Sequence, residues 1–348
     1  MNDNRPLAVL GATGFTGGLV LEQARALGLP LRLVGRRREA LEAIAAPGDE
    51  VRVADARREA ELIAAFDGAF AVASTAGPFL EVGTKPIGAA IAVGAHYLDV
   101  SGEQAFARLV YEGFGESAEE RDVVLLTSFG FDYVPGDFAA RLAAEAFDGP
   151  LDEVVVAYST TSQPTSAGTR TTIGHVLGQP QVAWDGGLVP SRYGKTTRRV
   201  RFPWGEADVV EWGGTEPLTV PRHSDVRRVR SYLRQPRIAA LGGLVGPLLS
   251  PLVKLGGRVG GVPSPDQRAC NRFTVVAEAR RGGEGRRAVV AGYDTYGLAA
   301  ALVAHGAEAL RAGEALAVGA LAPAQAFDVR GFASRLAPLL ELGPVERC

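Results

Sequence analysis

The chain has 348 residues, with 37 Lys and Arg against 39 Asp and Glu, for a formal net charge of −2. That length suits two domains, or one domain with a large insertion, and the charge balance removes any general attraction to nucleic acid or an anionic surface. Two cysteines, Cys270 and Cys348, and four scattered histidines, His96, His175, His223 and His305, offer neither a disulfide framework nor metal-ligand spacing.

A short apolar strand, Leu7 to Leu10, runs into Gly11-Ala12-Thr13-Gly14-Phe15-Thr16-Gly17 and then an apolar helix from about Leu19. Glycines permit a tight strand-to-helix turn, and a helix N-terminus presents free N–H groups and a positive dipole end to a pyrophosphate. The turn predicts a dinucleotide site with Gly11, Thr13, Gly14, Phe15, Thr16 and Gly17 as its contacts. The next strand, Leu31 to Gly35, ends on Arg36-Arg37-Arg38, where such a unit keeps its ribose contact. A carboxylate there accepts from the ribose hydroxyls of NAD, whereas a guanidinium suits the 2′-phosphate of NADP. Arg36 and Arg37 therefore point to NADP(H), although at least one of the three arginines reads equally well as a solvated helix start.

Strands follow at Val51 to Asp55, Ala69 to Ser74, His96 to Val100 and Val123 to Ser128, with helix-period stretches at Arg57 to Phe66 and Lys85 to Val93. This alternation predicts the α/β class, a Rossmann-type doubly wound parallel sheet. Ligands of such sheets lie beyond the carboxyl ends of the strands. Asp55 and the turn Ala76-Gly77-Pro78-Phe79 therefore join the cofactor set, since a Gly-Pro turn brings backbone close to a ligand and holds it rigid. Two later turns, Asp99 to Glu103 and Gly130 to Asp137, supply the candidate proton donors Tyr133, Asp132 and Glu103. Each has a structural alternative. Ser101 with Gln104 matches a capping box with Glu103 in the first turn, and Asp132 or Asp137 suits the cap of a helix after Pro135.

From about Leu151 the pattern changes. A strand, Val154 to Ser159, leads into the hydroxyl-rich run Thr160 to Thr169, which either lines a polar pocket or closes local side-chain bonds. Strands at Thr196 to Phe202, Thr215 to Val220, Phe273 to Arg280 and Arg287 to Tyr293 predict a largely antiparallel sheet. Ile238 to Val253 carries no charge over sixteen residues and has cations on both sides. It reads as a core helix, a flap over a lipophilic channel or an interfacial anchor. No Tyr-x-x-x-Lys or G-x-S-x-G is present, and Cys270 before an apolar strand reads as a packed or inert thiol.

The GATGFTG opening, the Val-Gly-Arg-Arg strand end, the AGPF turn, HYLDVSGE over 96–103 and GFDYVPGD over 130–137 together resemble the saccharopine dehydrogenase-like oxidoreductases. Within them the likeness is greatest to the trans-acting enoyl reductase branch, and it extends to Ser166-Ala167-Gly168-Thr169, Gly292 to Gly297 and Ala322 to Phe327. The resemblance implies an NADP-binding domain over 1–140 completed by returning helices over 297–348, and an inserted α+β substrate and dimerisation domain over 141–296. It also implies hydride transfer to a C=C or C=N bond. The reading is an NADP(H)-dependent reductase of a lipophilic acyl-type C=C bond. Its alternatives are an oxidoreductase at a C–N bond of an amino acid or polyamine conjugate, where an amino-dicarboxylate would require arginines such as Arg170 or Arg192 to converge on the pocket, which residue order does not show, and an NADP-binding sensor without turnover. The expected setting is the cytoplasm, with peripheral membrane contact through 238–253, a homodimer, and no nucleic-acid partner.

Overall fold

The structure, a computed structural model, describes residues 4–161, 180–241 and 262–348 and divides into two compact units. The first comprises Met1–Ser101, Phe106–Phe131 and Tyr296–Leu321. Its strands are β1 (Leu7–Leu10), β2 (Leu31–Gly35), β3 (Glu50–Val53), β4 (Ala71–Ser74), β5 (His96–Asp99) and β6 (Val124–Leu126). The second comprises Gly102–Ala105, Asp132–Thr295 and Ala322–Cys348. It holds β7 (Leu151–Thr160), β8 (Gln181–Asp185), β9 (Leu188–Ser191), β10 (Thr197–Phe202), β11 (Gly205–Glu211), β12 (Val226–Arg234), β13 (Arg272–Arg281) and β14 (Glu284–Tyr293). The chain then adds β15 (Gly319–Ala320) to the first unit, and β16 (Leu340–Leu342) and β17 (Glu346–Arg347) to the second.

The first sheet is parallel throughout, in the order β15-β6-β5-β4-β1-β2-β3. Strand order reverses between β1 and β4, which opens the ligand crevice of a doubly wound sheet at the carboxyl end of β1. β1, β2 and β4 are buried along their whole length, as parallel strands covered on both faces must be. The one charge among them, Arg32, is neutralised where it lies. Its guanidinium donates to Glu50 Oε2 at 2.9 Å and to the carbonyls of Ala65 and Asp67 at 3.0 and 2.5 Å.

The second sheet runs β10-β11-β12-β7-β13-β14-β16, with β8 and β9 paired beside β12 and β17 on β14. It is antiparallel except at β7, which pairs with β12 in parallel, so the sheet is mixed. The helix Val134–Ala144 packs on β7, β13 and β14, and a second cluster of Val155, Ala157, Val200, Phe202, Val209, Tyr232 and Val276 forms a core within the sheet.

Several expectations change. Thr215 to Val220 is not a strand: Pro217 lacks the N–H that a ladder requires, and Glu216–Thr219 forms a helical turn. β11 and β12 supply the pairing instead. Residues 132–140 belong to the second unit, as do 322–348, because β16 adds to β14 as an edge strand. Only 297–321 of the returning segment joins the first sheet, through β15 on β6. Cys270 is exposed at the end of the short helix Pro265–Cys270, so it is not a packed thiol. Of the apolar run over 238–253 the structure describes only the 3-10 turn Arg237–Leu241, where Ile238 is 74% exposed; the remainder lies outside the described residues. Residues 162–179, with most of the hydroxyl run, Arg170 and His175, lie outside them as well. No helix among the described residues is long and apolar enough to cross a membrane.

Candidate functional site

The glycine turn is built for close backbone approach. Gly11 has φ +85°, a conformation that only glycine adopts without strain, and a β-carbon there would press on Thr75 Oγ1 and the Ala76 backbone. A β-carbon on Gly17 would collide with the Gly11 carbonyl. Gly14 stands in extended conformation as the N-cap of Phe15–Ala26, with no side chain capping the helix. No side chain therefore meets the first N–H groups of the helix, and Thr13 and Gly14 beside them are exposed. Phe15 packs edge-on against Tyr296 at 5.2 Å, and Thr16 is half-buried. Thr75, which sequence reasoning passed over, joins two turns through its hydroxyl, 3.1 Å from the Leu10 carbonyl and 3.3 Å from that of Gly11.

The remaining cofactor candidates divide by position. Arg36 and Arg37 are both exposed after β2, while Arg38 is occupied with Glu42 at 3.4 Å one helical turn on. Asp55 accepts from the Arg57 N–H at 2.9 Å, so one carboxylate oxygen already serves its own turn. Ala76 and Pro78 are half-buried and Gly77 is exposed, whereas the Phe79 ring is buried against Phe106 at 5.6 Å. Phe79 therefore offers a ligand its backbone rather than its ring. Asp99, at the end of β5, is fully buried and fastens two neighbouring turns by accepting from the N–H groups of Ser101 at 2.9 Å and Ser128 at 2.8 Å.

The three proton-donor candidates all lie in the second unit. Tyr133, the N-cap of Val134–Ala144, is 2% exposed, and its ring stacks on Trp212 at 5.8 Å. Its hydroxyl is buried with no hydrogen-bond partner among the described residues. Burial first, and then the charges of Asp132, Glu216 and Glu103, hold this phenol well above the ordinary tyrosine value, so it carries its proton at neutral pH. Glu103 is fully buried. Asp132 keeps an exposed residue surface, while desolvation by the surrounding protein pushes its carboxyl up to about 6. Gln104 does not serve only as a helix start, since its amide nitrogen donates to the Val182 and Gly214 carbonyls and its oxygen accepts from the Val182 N–H. Asp137 does not cap its helix. It is buried against His223 Nε2 at 2.9 Å and accepts from the Ala324 N–H at 2.8 Å.

Sequence reasoning missed Glu216, Tyr158, Trp212 and Ser231. Glu216 is fully buried, accepting from Tyr158 Oη at 2.5 Å and from Ser231 Oγ at 2.6 Å. Trp212 stands edge-on to Tyr158 and stacked on Tyr133. The one signal in the chain was Gly213-Gly214 just before Glu216, because a β-carbon on Gly214 would collide with the Glu216 carboxyl.

Residues 11–147 match the NAD(P)H-binding family. The chain is 30% identical to a Homo sapiens saccharopine dehydrogenase-like oxidoreductase over 174 residues, 44% of this chain and 41% of that protein. It is also 30% identical to a Caenorhabditis elegans lipid droplet localized protein over 162 residues, 42% of this chain and 38% of that protein. The matches thus span less than half the length of these relatives. A solved structure of saccharopine dehydrogenase (L-Glu forming) from Saccharomyces cerevisiae is similar over 99% of this chain and 100% of its own, with a TM-score of 0.65 and 13% identity. The chain therefore has the fold of saccharopine dehydrogenase, matches an NAD(P)H-binding family over residues 11–147, and is similar in sequence to saccharopine dehydrogenase-like oxidoreductases over part of its length.

Proposed function

We propose that this chain is an NADP(H)-dependent oxidoreductase in which the Tyr133 phenol exchanges a proton with the substrate while a hydride moves between cofactor and substrate. The observation that carries the reading is the Tyr133 hydroxyl, buried and without a hydrogen-bond partner among the described residues, in surroundings that favour its protonated form. A bound nicotinamide supplies the hydride. The chain's own parts do the rest: the Gly11 to Gly17 turn and the helix N-terminus hold the pyrophosphate, and the exposed Arg36 and Arg37 favour a 2′-phosphate.

Of the two acceptors, a C=N bond fits the surroundings of Tyr133 better. Hydride adds to its carbon and the proton to its nitrogen, and the carboxyls of Asp132 and Glu103 near the phenol favour the positive charge of an iminium. A C=C bond of a lipophilic acyl substrate is the second reading, with hydride at the β-carbon and the proton at the α-carbon. It draws support from the apolar run over 238–253 and from the name of the nematode relative, which also favours contact with a lipid surface. Assembly as a homodimer through the second unit belongs to the same proposal.

The test is a fluorescence titration with NADPH and NADH, followed by turnover on cyclic imines and enoyl thioesters. NADPH should bind more tightly, and Arg36→Ala should weaken it about tenfold or more, the loss of one charge-assisted contact, while leaving NADH unchanged. Tyr133→Phe should keep nucleotide affinity and lose turnover by about 10²-fold or more. Equal weakening of both nucleotides by Arg36→Ala refutes the NADP assignment. Tight NADPH binding without oxidation by any acceptor favours a sensor.

A further inference from the structure

A role for Tyr133 does not explain why the fold buries a carboxylic acid next to it. Glu216 forms no ion pair among the described residues; two hydroxyls hold it, Tyr158 Oη on Oε1 and Ser231 Oγ on Oε2, together with its own backbone N–H. The space it fills is kept open from two sides. A β-carbon on Gly136, in the helix that follows Tyr133, would strike both the Tyr158 hydroxyl and Glu216 Oε1, and one on Gly214 would strike Glu216 Oε2. Two glycines from separate elements therefore shape a place for this one acid. Tyr158 connects it to Tyr133 twice over. Its hydroxyl lies 3.4 Å from the Tyr133 carbonyl, and its ring meets Trp212, which stacks on the Tyr133 ring.

We infer that Glu216 is a positioning residue for Tyr133: held by Tyr158 and Ser231, it is the buried charge that sets how readily the Tyr133 hydroxyl parts with its proton. The inference rests on the reading of Tyr133 as the proton donor. While Glu216 is neutral, phenolate formation meets one negative charge fewer; once it ionises, the same low-dielectric surroundings make phenolate formation harder. Burial raises the Glu216 carboxyl from its ordinary range to about 7, so the change falls near neutral pH. The groups that face it are Tyr158 on β7, Ser231 on β12 and Asp137 on the helix Val134–Ala144; Asp137 has a separate partner in His223. Asp132 and Glu103 also bear on Tyr133, and Asp132 bears on Tyr158.

The experiment has two readouts on the full-length chain. The first needs no activity: tryptophan fluorescence is followed from pH 5 to 9 in the parent, Glu216→Gln, Tyr158→Phe and Trp212→Phe. The parent should titrate with a midpoint near 7. Glu216→Gln and Trp212→Phe should lose the transition, and Tyr158→Phe should raise its midpoint by about one unit through loss of a bond to the carboxylate. The second readout is the pH profile of NADPH oxidation by whichever acceptor turns over. Parent activity should fall about tenfold across the same midpoint, the value of one pKa unit of interaction, and the profile of Glu216→Gln should be flat there. A parent without a transition near 7 overturns the inference, as does a Glu216→Gln profile that keeps the parental limb. Should Glu216→Gln fail to fold, Tyr158→Phe decides by whether the fluorescence midpoint and the activity limb move together. Full turnover by Tyr133→Phe would instead sink the donor reading itself, whatever Glu216 does.

Discussion

Replacing Glu216 by Gln should change how folding stability depends on pH. The carboxyl has an ordinary value of 4.5 and rises to about 7 in the folded chain. Below 4.5 both folded and unfolded chains hold the proton. Between 4.5 and 7 the unfolded chain releases a proton that the folded chain retains, so stability falls as pH rises, and above 7 the whole penalty is present. At about 1.4 kcal/mol per unit, the gap corresponds to about 3 kcal/mol. Gln keeps the shape and stays neutral, and the hydroxyls of Tyr158 and Ser231 rotate to suit its amide. The difference in stability between variant and parent should therefore grow by about 3 kcal/mol from pH 4.5 to 8 in favour of the variant. Urea denaturation monitored by tryptophan fluorescence measures it, because Trp184, Trp204 and Trp212 all lie in the second unit. Asp132 shifts in the same direction but is common to both proteins and cancels. Asp137, held below its ordinary value of 3.8 by His223 and the Ala324 N–H, loses its contribution only at more acid pH. Parallel pH curves for the two proteins would refute the reasoning.

Gly11→Ala should destabilise the chain by about 1–2 kcal/mol through the positive φ and weaken NADPH at least tenfold, because the added carbon presses on the Thr75 and Ala76 turn; thermal melts with and without NADPH separate the two effects. Asp99→Ala should cost about 2–4 kcal/mol, since it orphans the buried N–H groups of Ser101 and Ser128, and Asp99→Asn should recover about half through its remaining acceptor. Chemical denaturation ranks the two variants, and equal losses would show that the carboxylate does not hold those turns.

The dinucleotide turn was legible because everything that makes it is local. An apolar strand, glycines at the tight positions and a helix start lie within about twenty residues. The doubly wound sheet was legible for the same reason, its strands being short apolar runs separated by helical periodicity. Thr215 to Val220 was misread because β-branched residues outweighed Pro217, and the returning segment because nothing local distinguishes a helix that rejoins one sheet from a strand, β16, that extends another.

Sequence by itself determined the strand, glycine turn and helix that open the first unit, since backbone freedom at glycine and apolar periodicity act over a few residues. Tertiary structure decided the surroundings of Tyr133. The partners of Glu216 are 58 and 15 residues away in the chain, on β7 and β12, and only the pairing of those strands brings two hydroxyls and one carboxyl together out of water. Desolvation, the largest cause of the shifts in Tyr133 and Glu216, is a property of that packing and has no signature in residue order.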